Sequence, residues 1–150
     1  MASHEIRLNG PWEAVFSSPN GEASHRRIRL PVTWDQLLSD FAESCYATGS
    51  RCELSRRFHR PPISTPGETI SIRISPSYLV GTVMLGGTQL GTLGTSEFTS
   101  DVTKSLRPFD EVTIHWELTT REFDRRESVP QVSIVITDAG SRGVRPPAEP

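Results

Sequence analysis

Chemistry in this chain would have to come from carboxylates, histidines, hydroxyls or aromatic rings, and the spacing of each decides how far it can be taken. Paired-acid hydrolysis needs two carboxyl groups flanking one bond, and Glu97 with Asp101 or Glu111 with Glu117 would be such pairs. Twelve Glu and six Asp among 150 residues make chance pairs common, so these read as solvated loop and strand-face charges. The histidines His4, His25, His59 and His115 have no metal-ligand spacing, and no G-x-S-x-G elbow offers a nucleophile. The glycine-rich run Leu85–Gly94 lacks the lysine and helix of a phosphate-binding loop. It reads as a hairpin whose Gly86-Gly87 pair supplies the turn torsions. No catalytic residue, metal or cofactor is implied.

Aromatic rings are the remaining chemistry-bearing class, because a flat ring stacks on the C–H face of a sugar while polar neighbours meet its hydroxyls. Eleven are present. Trp12, Trp34, Phe58 and Trp116 fall at core parity or helical apolar spacing and are expected to be structural. Tyr46 and Tyr78 fall in expected loops, where with Arg51 they would form a shallow carbohydrate-binding platform. Arg56 shares parity with Leu54 and Phe58 and should point inward, where a guanidinium needs a carboxylate or carbonyls. Asp101, in the Asp-Val-Thr turn, is its expected structural partner. Cys45 and Cys52 read as free thiols, with a local disulfide as the alternative.

The elements that must position these residues announce themselves by period two. Ile28, Leu30 and Val32 share one face; Ile70, Ile72 and Ile74 alternate with Ser71 and Arg73; Val112, Ile114, Trp116 and Leu118 alternate with Thr113, His115 and Glu117; Val132, Ile134 and Ile136 follow. Weaker segments at 12–16, 54–60, 79–85 and 89–93 bring the expectation to eight or nine strands of one antiparallel β-sandwich. One short helix is expected from Trp34 to Phe41, whose apolar residues recur at i, i+3, i+4 and i+7 behind a Thr33 cap. A second turn is expected at Asp101–Leu106, closed by Pro108. Residues 1–138 read as a single domain and 139–150, rich in Gly and Pro, as a flexible tail.

A net charge of −2 gives no general attraction to nucleic acid or anionic lipid. The cations are almost all arginine, Lys104 being the one lysine. With no apolar run near the length of a membrane span and a polar N-terminus, the expected location is the cytoplasm.

Four short motifs in fixed order add a family likeness. LNGPWEAVF (Leu8–Phe16), LPVTW (Leu30–Trp34), LSRRFHRP (Leu54–Pro61) and TVMLGGTQLGTLGTSEFTSDVTKSL (Thr82–Leu106) together resemble the N-terminal sugar-binding-like domain of family 2 glycoside hydrolases, the β-galactosidase and β-glucuronidase group. The chain departs from that pattern at Leu54, at Gly86 and at Gly94-Thr95. The resemblance implies an all-β jelly roll of the galactose-binding-like type, with an arginine kept at position 56. In that family the catalytic carboxylates lie on a separate barrel, so hydrolysis is not carried over. The resulting expectation is a stand-alone, non-catalytic module that binds a carbohydrate weakly. The alternative is a protein-interaction or assembly module, working through a sheet face on a partner or on itself.

Overall fold

The computed structural model describes residues 3–39, 49–63, 66–118 and 126–138. Among them the chain forms ten strands and one helix: β1 (Ser3–Arg7), β2 (Trp12–Ser17), β3 (Ala23–Ile28), α1 (Trp34–Leu38), β4 (Ser50–His59), β5 (Thr69–Ile74), β6 (Gly81–Leu85), β7 (Thr88–Leu93), β8 (Phe98–Asp101), β9 (Phe109–Leu118) and β10 (Val132–Thr137). They build two antiparallel sheets, one of four strands in the order β1-β10-β5-β8 and one of six in the order β3-β2-β4-β9-β6-β7. The expected all-β sandwich is therefore the observed architecture.

Period two does the folding. On β9 the inward set Val112, Ile114, Trp116 and Leu118 is buried, and on β5 so are Ile70, Ile72 and Ile74, so each sheet buries one face against the other. Trp12, Trp34 and Trp116 are all fully buried, as their parity requires. Trp34 meets Trp116 edge-on, ring centroids 5.1 Å apart and planes at 82°. Two indole N–H groups find acceptors inside: Trp12 Nε1 donates to the Leu8 carbonyl at 2.7 Å and Trp116 Nε1 to Ser77 Oγ at 3.3 Å. Gly81 makes the second contact possible, since a Cβ there would lie 2.7 Å from that indole nitrogen.

Local signals place the connections. Thr33 caps α1: its Oγ1 accepts from the Gln36 N–H at 3.1 Å while Gln36 Oε1 accepts from the Thr33 N–H at 2.9 Å, a reciprocal capping box. Gly86 and Gly87 turn the β6–β7 hairpin with φ of 57° and 90°, torsions that favour glycine. Three elements differ from expectation. β3 ends at Ile28 rather than running to Val32, because Pro31 has no N–H to give a ladder. β1 and β8 are edge strands that the sequence pattern did not announce. Of the expected helix, Trp34–Leu38 is helical and Phe41 lies outside the described residues, as do Cys45, Tyr46 and residues 139–150. Cys52 is buried and unbonded to another cysteine, and burial pushes its thiol pKa up. No helix among the described residues is long and apolar enough to cross a membrane.

Candidate functional site

The outward parity of the six-stranded sheet carries the residues that can meet a ligand. Register lays Arg27, Glu13, Ser55, Thr113 and Met84 in one row across β3, β2, β4, β9 and β6, and His25, Val15, Glu53, His115 and Thr82 in the next. Two open clefts lie on this face. One, of about 380 Å³, is lined by Pro11, Trp12, Glu13, Arg27, Ser55, Arg56, Arg57 and Glu111. The other, of about 480 Å³, is lined by Glu53, Ser55, Thr82, Met84, Gly87, Glu111, Thr113 and His115. Ser55 and Glu111 belong to both, so the two form one track. Hydroxyls and carboxylates side by side accept and donate hydrogen bonds to a polyhydroxylated ligand.

An exposed ring lies near each end of β9, outside the lining of both clefts. Phe109 opens β9 opposite His59, is 50% exposed, and packs on the His59 ring at a centroid distance of 4.8 Å. It stands two residues along the strand from Glu111, about 7 Å by strand rise. At the other end Tyr78 is 56% exposed and Val80 71%, on a loop pinned by buried Ser77 and Leu79. Arg51 pairs in register with Glu117 on β9, the strand between β4 and β6, so it and the Tyr78 loop share one end of the sheet. Tyr46, the third member of the expected platform, is outside the described residues. The sequence reading missed Phe109, although its parity with Glu111, Thr113 and His115 on one strand marks it as outward.

The arginines fall out differently from expectation. Arg56 shares the inward parity of Phe58 at the end of β4 but is only half-buried and lines the open cleft beside Trp12, and it makes no pair with Asp101. Asp101 lies on β8, in the other sheet, where its Oδ1 accepts from the Thr103 N–H at 2.9 Å and the Thr103 hydroxyl at 2.6 Å and so shapes the turn that follows. The arginine that ties down that turn is Arg60, whose Nη1 donates to the Leu106 carbonyl at 2.6 Å and Nη2 to that of Thr103 at 3.1 Å. Arg56 Nη1 is buried with no hydrogen-bond partner. Burial, and second the charge of Arg29, hold its pKa below the ordinary arginine value.

One carboxylate is firmly engaged at the hairpin edge. Asp110 is buried and accepts from the Arg107 guanidinium at 2.9 Å, the Arg107 N–H at 3.1 Å and the Glu111 N–H at 2.9 Å. Burial pushes its pKa up, yet these hydrogen bonds and the arginine charge outweigh it and the net shift is downward. An acid held ionised in this way is a structural group. Among the described residues no cluster of three or more His, Cys, Asp or Glu is placed to hold a metal ion.

The sandwich recurs in solved structures of much longer proteins. An FMN-binding β-glucuronidase from Facaelibacterium prausnitzii matches at 23% identity and a TM-score of 0.66, over 89% of this chain and 22% of that one. β-Glucuronidases from Dictyoglomus thermophilum and Ruminococcus gnavus each match at 14% identity and a TM-score of 0.64, over 90% and 89% of this chain and 28% of theirs. The chain thus spans about a quarter of the length of these enzymes. No protein-family model and no curated protein matches its sequence. The four motifs and the structural matches converge on one fold: the chain shares the β-sandwich of the sugar-binding-like domain of family 2 glycoside hydrolases.

Proposed function

We propose that this chain is a non-catalytic β-sandwich module that binds a carbohydrate weakly on the outer face of its six-stranded sheet. The observation that carries this reading is the half-exposed Phe109 ring, two residues along β9 from Glu111, which with Ser55, Thr113 and His115 lines an open track of hydroxyl, carboxylate and imidazole groups. A ring beside hydrogen-bonding groups is the arrangement that recognises a sugar. With the three tryptophans buried, stacking rests on one or two rings, so affinity is expected in the millimolar range, about −4 kcal/mol. Tyr78 and Arg51, with Tyr46, are the second place such a ligand would dock. Isothermal titration of the chain with neutral β-linked oligosaccharides tests the reading, with Phe109→Ala and Tyr78→Ala beside it. Heat lost in Phe109→Ala supports the sheet face; heat lost only in Tyr78→Ala moves the site to the loop; no heat with any sugar rejects carbohydrate binding.

One observation favours a second reading, a protein-interaction or assembly module. Tyr78 and Val80 are held outward on a loop anchored by Ser77, whose N–H donates to the Gly94 carbonyl at 2.7 Å. Apolar side chains fixed in solvent mark contact surfaces when they adjoin others. Light scattering on the eluting species, with Val80→Asp as control, separates this reading from the first.

A further inference from the structure

We propose that the cleft beside Pro11 is a carboxylate-binding site in which Arg56 and Arg29 share one singly charged carboxylate. This does not depend on the carbohydrate reading. Three arginines packed against this fold have their charge answered: Arg60 by two carbonyls, Arg107 by Asp110 at 2.9 Å, and Arg73 by Glu5 at 3.6 Å and Glu97 at 3.9 Å. Arg56 has no such partner. Its Nη1 is buried without an acceptor, and no ion pair joins Arg56 or Arg29 to a carboxylate among the described residues. A desolvated donor left unmade is costly, and a second positive charge alongside raises that cost. The two carboxylates lining the cleft already have partners across the strands, Glu13 with Arg27 at 3.6 Å and Glu111 with Arg57 at 3.8 Å. The lining, three arginines against two glutamates, is left net positive and open to solvent in a space of about 380 Å³, and Arg29 packs against Gly10, next to Pro11 of that lining.

The same lining selects the anion. A planar guanidinium matches a carboxylate as a two-pronged acceptor. The Ser55 hydroxyl offers one further donor. The carboxylate has two possible sources: a small organic acid, or an Asp or Glu side chain of a partner protein.

The test is NMR of the arginine Nε–Hε signals of the whole chain during titration with sodium acetate, a capped Glu-Glu dipeptide, sodium phosphate and sodium chloride, at constant ionic strength. The expected result is saturable movement of the Arg56 and Arg29 signals in the roughly millimolar range with both carboxylates and no saturable response to chloride. Arg29→Gln, at an exposed position, should weaken acetate binding several-fold without altering the fold, and Arg56→Met should abolish it. A dipeptide that binds at least about tenfold tighter than acetate points to a partner's side chain, and equal binding points to a small acid. Movement that never saturates, that chloride or phosphate reproduces, or that survives in Arg29→Gln unchanged would overturn the site. Neutral-sugar heats measured on the same variants keep the two proposals separate, since loss of acetate binding leaves any sugar binding at Phe109 in place.

Discussion

The outer faces of the two sheets are built from the same alternation, yet they end in different states. On the four-stranded sheet Arg73 stands between Glu5 on β1 and Glu97 ahead of β8, and Ser133 and Val135 on the central strand β10 are buried at the outward parity. A cleft there, near Arg73 and Glu5, is about 240 Å³. On the six-stranded sheet the charges close only in cross-strand pairs, Glu13 with Arg27 and Arg57 with Glu111, and larger clefts lie between them. One arginine shared by two acids draws three strands together over small residues. Separate pairs neutralise the rows without covering them, and leave Arg56 unanswered at the end. Incomplete closure, rather than any special residue, is what leaves open clefts on this face.

Both faces rest on one core, so the largest effect should come from removing what they share. Trp116→Ala is expected to cost about 3–5 kcal/mol, since it empties the contact with Trp34 and removes the indole donor to Ser77 Oγ. Chemical denaturation measures it, and a loss under about 1 kcal/mol would mean that the faces do not depend on a common interior.

The next effects fall at the hairpin that borders the open face. Asp110→Asn should cost about 1–3 kcal/mol, by weakening three charge-assisted hydrogen bonds to a buried group. Its sign with pH follows from the lowered pKa in the fold. The contribution is fully present above the unfolded carboxylate value, about 3.9, and is lost as pH falls through the folded value. Acid titration of stability should therefore be flatter in Asp110→Asn than in the parent. Gly86→Ala should cost about 1–3 kcal/mol, because its φ of +57° disfavours a side chain and the new Cβ would lie 2.5 Å from Arg107 Nη2 and 2.7 Å from Asp110 Oδ1. Amide hydrogen exchange of the two variants should show that the hairpin edge loosens while the four-stranded face keeps its protection relative to the edge.

The smallest difference sharpens the comparison most. Arg73→Ala should cost about 1 kcal/mol, because the side chain is only 39% exposed and serves two acids, whereas Arg27→Ala, at 79% exposure and with one partner, should cost under about 0.5 kcal/mol. Equal values from denaturation would remove the distinction between a closed and an open face.

What the sequence made legible was whatever repeats locally. Alternation marked the buried parity of Trp12, Phe58, Ile72 and Trp116, the spacing before Trp34 marked the Thr33 cap, and Gly86-Gly87 marked a hairpin. β1, SHEIR, is exposed along its whole length and is held by its ladder to β10, so no pattern within it could announce a strand. Arg56 and Arg60 show the other limit. Parity told that Arg56 points inward, but its partner is a matter of which strands end near which turn, and Arg60, just past the strand, reaches the 103–106 carbonyls instead. The track on the six-stranded face was hidden for the same reason: Ser55, Glu111 and Thr113 each look like ordinary solvent-facing residues until register brings them side by side.

The central claim is that the open face of the six-stranded sheet is where this chain meets a carbohydrate. Backbone amide chemical-shift mapping with a neutral β-linked oligosaccharide, raised through the millimolar range, tests it most directly. The account predicts saturable shifts concentrated at Ser55, Phe109, Glu111, Thr113 and His115, with Ser71, Arg73 and Ser133 on the closed face unmoved. Shifts centred on β5 and β10, or none with any oligosaccharide, would contradict it.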